Sequence, residues 1–225
     1  MTKRIGVLGG TFNPIHRGHL HIAREIQRIF SLAEVHFVVA TTPPHKAPGD
    51  LIPFTHRYAM VSLATAGVSS FIPSLIELEP EASPFSVDTM RKLARSLGRR
   101  KGLLYFIAGG DSLPEVKTWR ESEKLLTSYS FIFATRPGSR PVNPADVLPE
   151  RAVARVWDLS GLGQDKTYRD VGQTDASRIY ILNVGAPDIS ATQIRELASS
   201  GKSIQRMVPK SVREYIDKLH LYGGR

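Results

Sequence analysis

The sequence predicts an α/β fold, a doubly wound and mostly parallel sheet, and three observations carry that prediction. Strand-like and helix-like segments alternate along the chain. Leu103–Ala108 and Phe131–Ala134 are continuous apolar runs, as expected of strands buried on both faces. A Gly9-Gly10 turn joins a first apolar run to a segment of helical periodicity. With 225 residues, 41% of them hydrophobic, the chain can bury the core of one substantial domain. We expect a single domain over 1–225, with a small C-terminal helical portion and an irregular, loop-rich segment near 137–177. That segment holds Pro137, Pro141, Pro144 and Pro149 and a polar stretch over 160–177.

In chain order, Arg4–Leu8 reads as the first strand, and Leu20, Ile22, Ala23, Ile26, Ile29 and Phe30 set a helix over 19–30. A strand near 34–40 and a helix over 56–66 follow. Val87, Met90, Leu93, Ala94 and Leu97 set a helix over 86–97. Next come a strand over 103–108, a helix over 114–127, and strands over 129–135 and 178–184. Helices over 191–199 and 209–219 close the chain; the last starts at Pro209 and packs through Val212, Ile216 and Leu219. Arg151–Trp157 fits a short strand or a short helix equally well. In a parallel sheet the Gly9-Gly10, Gly109-Gly110-Asp111 and Thr135-Arg136-Pro137-Gly138 turns would open on one edge, where such sheets place ligands.

The densest chemistry lies in Gly9-Gly10-Thr11-Phe12-Asn13-Pro14-Ile15-His16-Arg17-Gly18-His19. Gly9 and Gly10 let a phosphate or ribose approach the main chain, and Thr11 adds a hydroxyl donor. His16 and His19 are three residues apart, so on one helix their rings lean to the same side, and Gly18 keeps that surface open. A helix start beneath them offers N–H groups to an anion. The stretch therefore reads as a nucleotide-phosphate site, although neither G-x-G-x-x-G nor G-x-x-x-x-G-K-[ST] is present there. A second site of this kind opens the helix at 191: Ser190 is a natural N-cap, Thr192 sits in the first turn, and Arg195 supplies a bidentate donor. Thr42-Pro43-Pro44-His45-Lys46 projects His45 and Lys46 from the end of the second strand.

Composition narrows the partners. The 30 basic and 21 acidic residues give a formal charge of +9, which favours anions. The basic run Arg91–Lys101 reads as a solvated helix face rather than a nucleic-acid patch, because no aromatic residue interleaves with its charges. No run approaches the roughly 20 apolar residues needed to span a bilayer. The Met1–Arg4 start carries no signal-peptide pattern, so a cytoplasmic protein is expected. The absence of cysteine excludes disulfides, thiol nucleophiles and thiolate metal sites. The sequence does not specify an oligomeric state.

The Gly9–His19 segment resembles the H-x-G-H signature of the nucleotidyltransferase superfamily, and Gly-Gly-Thr-Phe-Asn-Pro-Ile-His-x-Gly-His-Leu is similar to its nicotinate mononucleotide adenylyltransferase branch. H-x-G-H is shared with pantetheine-phosphate adenylyltransferases, cytidylyltransferases and class I aminoacyl-tRNA synthetases, so the other motifs decide the branch. Phe106–Leu113 followed by Trp119 resembles the F-I-x-G-x-D-x-L…W pattern of the nicotinate branch. Ser83–Thr89 resembles its P-S-Y-T-x-D-T motif, with Phe85 in place of the usual tyrosine. Asp188–Arg195 is similar to I-S-x-T-x-I-R, and the P-P-H-K loop matches as well.

The resemblance implies a Rossmann-like nucleotidyltransferase fold and an enzyme of NAD biosynthesis that joins ATP and nicotinate mononucleotide to give nicotinic acid adenine dinucleotide and pyrophosphate. It implies His16, His19, Lys46 and Arg195 as the catalytic set. ATP would be held by Gly9, Gly10, Thr11, Phe12, Gly18, Gly109, Asp111, Ile189, Ser190 and Thr192, and the mononucleotide by His45, Thr89, Trp119 and Arg136. Mg²⁺ is expected with ATP and not on a ligand set of the protein, since no carboxylate pair has metal-ligand spacing. Two alternatives stay open: the same chemistry on nicotinamide mononucleotide or phosphopantetheine, and a non-catalytic basic RNA-binding protein.

Overall fold

The computed structural model describes residues 3–42, 51–79, 83–96, 104–136, 138, 142–161 and 177–223. Seven strands form one sheet in the order β3-β2-β1-β4-β5-β7-β6: β1 (Ile5–Gly10), β2 (Glu34–Val39), β3 (Phe71–Ser74), β4 (Leu104–Gly109), β5 (Ser130–Thr135), β6 (Val156–Asp158) and β7 (Ile179–Asn183). Every neighbouring pair is parallel. The order runs outward from β1 to β3 on one side and from β4 onward on the other. The carboxyl ends of β1 and β4 therefore flank the point where the winding reverses, and a crevice forms there.

The two-residue period of the strands sorts the core into two layers. Ile5, Val7, Phe131, Phe133, Ile179 and Ile181 face one layer, and Leu8, Ile107, Ile132, Ala134, Tyr180 and Leu182 face the other. The first layer is closed by α3 (Ser86–Ser96) and α4 (Ser122–Ser128). The second is closed by α1 (Arg17–Phe30), α2 (Phe54–Thr65), α7 (Ala191–Ser199) and α8 (Lys210–Lys218). Phe131, Ile132 and Phe133 are fully buried in succession, as their continuous apolar run predicts.

Three departures from the sequence reading have local causes. The helix expected over 114–127 is instead two 3-10 turns, Gly110–Ser112 and Val116–Thr118, followed by the short α4. Glu121 adopts a left-handed φ of 49° just before α4, and the Ser122 hydroxyl donates to Lys117 O, so one continuous helix is interrupted. Trp119 is left in extended backbone between the pieces. Secondly, β3 was missed because it has only four residues and contains Pro73, which is tolerated on this edge strand. Thirdly, Arg151–Trp157 holds both alternatives: α6 (Glu150–Val153) ends before β6, and α5 (Pro144–Val147) precedes them. Residues 162–176 of the expected loop lie outside the described residues.

Candidate active site

The site is built on the ends of β1, β4 and β5 and the starts of α1 and α7. The Gly9–His16 turn is held from below: Phe12, at a left-handed φ of 47°, turns its ring into the core, where it is 2% exposed. A Cβ on Gly10 would lie 3.0 Å from that ring, so a side chain there would press on it. Phe12 thus offers a ligand only its main chain, while its ring packs edge-on against His19 at 5.0 Å.

His16 is the N-cap residue of α1, and its ring stacks on that of His19 with centroids 3.7 Å apart. A Cβ on Gly18 would stand 3.0 Å from His16 Nδ1, so a side chain there would crowd that ring. His19 Nδ1 accepts the His16 backbone N–H at 3.3 Å. A neutral His19 ring therefore carries its proton on Nε2, as a donor for an anion. Both rings are neutral at pH 7. Burial first, and then the Arg136 guanidinium, lowers the His16 pKa from 6.5 to about 4. Burial, His16 and Arg136 hold His19 well below its ordinary value. The Arg17 N–H of the helix start is already given to Met207 O at 2.8 Å, so it is not offered to a ligand.

Among the described residues, the fixed positive charges beside the histidines are arginines. Arg195 donates through Nη1 to Asn13 O at 2.9 Å and through Nη2 to Thr192 Oγ1 at 3.2 Å, which fastens α7 to the turn. Ser190 caps α7 by accepting the Gln193 N–H at 3.1 Å. Ile189 is buried beside it. Arg136, at the end of β5, stands close enough to depress both histidines and reaches Asp188 at 3.6 Å. The resemblance implies a mononucleotide contact for Arg136; in the structure it stands beside the histidine pair and Asp188, just before α7.

On the other side of the Gly9–Thr11 turn lies a cavity of about 290 Å³ whose wall includes Gly9, Gly10, Thr11, Thr89, Gly109 and Trp119. Its size is of the order of a small-molecule site. Trp119 is positioned by an edge-on contact with Phe106 at 5.9 Å. Asp111 and Arg136 line a second, wider recess of about 650 Å³ beyond β4. His45 and Lys46 lie outside the described residues. Among the described residues, no group of three or more histidine, aspartate or glutamate side chains is placed to hold a metal ion.

Against this geometry the relatives are informative. Residues 7–197 match the Cytidylyltransferase-like family. A "Probable nicotinate-nucleotide adenylyltransferase" of Thermoanaerobacter sp. (strain X514) is 35% identical over 97% of this chain and 94% of its own length. One of the same description from Geobacter metallireducens is 38% identical over 97% and 98%. The chain belongs to the nicotinate-nucleotide adenylyltransferase family. The fold agrees: nicotinic acid mononucleotide adenylyltransferase of Plasmodium falciparum, complexed with NaAD, superposes with a TM-score of 0.69 at 19% identity, covering 98% of this chain and 97% of that one. The same protein complexed with APC gives 0.67 at 18% identity, with the same coverage.

Within this family member, three supporting residues escaped the sequence reading. Arg57, 1% exposed, donates to Thr11 O, Ala40 O, Thr41 O and Ile52 O, tying the glycine turn to the end of β2. Glu77 accepts from Thr41 N at 3.0 Å and Thr89 Oγ1 at 3.3 Å on the cavity wall, and burial raises its pKa against those bonds. Tyr222 donates to Asn13 Oδ1 at 2.9 Å, so the C-terminal segment also holds the turn. No motif flags them, since each acts mainly on residues distant in sequence.

Proposed function

We propose that the protein transfers the adenylyl group of ATP to nicotinate mononucleotide, giving nicotinic acid adenine dinucleotide and pyrophosphate. The observation that carries this reading is the position of the Gly9–Thr11 turn. It separates the aromatic Trp119–Thr89 cavity, suited to a pyridine mononucleotide, from the His16–His19–Arg136–Arg195 cluster, suited to a triphosphate. Trp119 offers a flat face to an electron-poor ring. The names of the family members, and the NaAD and APC complexes of the Plasmodium enzyme, support the same pair of substrates.

An oxygen of the acceptor's 5′-phosphate attacks the α-phosphorus of ATP. A new P–O bond forms, the bond to the bridging oxygen breaks, and its electron pair leaves with pyrophosphate. A phosphate dianion is already nucleophilic at pH 7, so no strong base is required. The protein's part is alignment and charge stabilisation. We assign His19 and His16 to neutral N–H donation toward the triphosphate, and Arg195, Arg136 and Lys46 to its charge. Asp111 and Gly109 border the nucleotide in this reading. Mg²⁺, if carried by the ATP substrate, would supply charge neutralisation on the phosphates. Among the described residues no helix is long and apolar enough to cross a membrane, and a cytoplasmic location belongs to the same proposal.

The test is pyrophosphate release from Mg²⁺–ATP with nicotinate mononucleotide, nicotinamide mononucleotide and phosphopantetheine offered separately. The expected result is fastest release with the nicotinate acceptor. Release with another acceptor alone reassigns the substrate, and silence with all three refutes the reading.

A further inference from the structure

Resting on the reading of the acceptor as a pyridine mononucleotide, we propose that the Arg120 side chain reads the ring's carboxylate and selects the acid over the amide. Arg120 follows Trp119 in the interrupted segment before α4, and both line the same cavity. Its guanidinium lies over the Phe85 ring, 4.8 Å from the centroid, and Phe85 is itself part of the cavity wall. A guanidinium whose carbon is held over an aromatic face still has an N–H edge to present, and such an edge can meet a carboxylate with two parallel bonds. The ion pair with Asp88 does not consume that edge. Its separation is 3.7 Å, beyond hydrogen-bond distance, and the other Asp88 oxygen is taken by Arg91 at 3.1 Å.

The charges around the cavity make this cation decisive for an acid. Among the described residues of the wall, Arg120 is the only basic side chain, whereas Glu77 and Glu115 are acidic. An amide meets no electrostatic penalty beside two carboxylates. A ring acid does, unless a cation faces it. Arg120 is about half exposed, at 53% of its side chain, so it stands at the rim, where a ring substituent reaches it without the guanidinium being buried.

The experiment compares kcat/KM for nicotinate and nicotinamide mononucleotide in the wild type and in Arg120→Gln, Arg120→Lys and Asp88→Asn. Arg120→Gln is expected to lower the acid-to-amide ratio about tenfold or more, chiefly through the KM of the acid, since the lost contact is remote from the reacting phosphate. Arg120→Lys, which keeps the charge but not the fork, should fall between. Asp88→Asn, which removes the ion pair and leaves the guanidinium, should keep the ratio. Arg120→Met, with an apolar stem over Phe85, replaces the Gln variant if that one fails to fold. A wild type selective for the acid, with Gln and Met variants equally selective, overturns the role of Arg120 alone. A wild type silent with both acceptors, or selective for the amide, overturns the reading beneath it.

Discussion

At the residue scale the site depends on two histidines kept neutral by their surroundings, and this has a measurable consequence for stability. The unfolded chain takes a proton on His16 near pH 6.5, whereas the folded protein resists it until about pH 4. Between those values the unfolded state binds more protons, so stability falls as the pH falls, by roughly 1 kcal/mol per pH unit for this group. Melting measured from pH 7.5 to 4.5 should show the wild type losing stability relative to His16→Asn across that window. Parallel curves would mean that His16 titrates normally when folded. The histidines, the two glycines and Arg195 were legible in the sequence because their residue types already suit a phosphate. Arg57, Glu77 and Tyr222 were not, because a buried arginine or a half-buried glutamate gains its role only when folding brings Thr11, Thr41, Thr89 or Asn13 to it.

Individual elements tell a similar story about reach. Strands with continuous apolar runs, such as β4 and β5, were readable because burial on both faces requires that composition. The segment after β4 was not, because apolar spacing alone does not reveal a left-handed Glu121 or the Ser122 hydroxyl bond to Lys117 O. That interruption sets Trp119 and Arg120 on the cavity wall, where a continuous helix would have spaced them differently. The turn itself is tightly packed against β5: a Cβ on Gly110 would lie 3.0 Å from Thr135 Cα and 2.8 Å from its Cγ2. Gly110→Ala should therefore destabilise the fold by about 1–3 kcal/mol and lower the melting temperature by several degrees. It should also raise the KM for ATP by displacing Asp111. An unchanged melting curve together with an unchanged KM would show that the two strand ends separate freely.

For the whole molecule, the parallel sheet acts as a jig that brings remote segments to one edge. Its winding reverses between β1 and β4, the crevice opens there, and α1 and α7 direct their starts toward it from one layer, while α3 and the Trp119 segment close it from the other. One edge thus carries the Trp119 cavity and the histidine–arginine cluster on either side of a glycine turn, an arrangement that fits the proposed joining of two nucleotides. The measurement that tests this most directly is pyrophosphate release from Mg²⁺–ATP and nicotinate mononucleotide by the wild type and His19→Ala, alongside the melting curve of each. Turnover about 10²–10³ lower in a variant that still melts cooperatively is the predicted result, the scale expected when one positioned donor to the transition state is lost. Turnover equal to the wild type in that folded variant would contradict the account, because the histidine pair at the start of α1 would then have no part in the reaction.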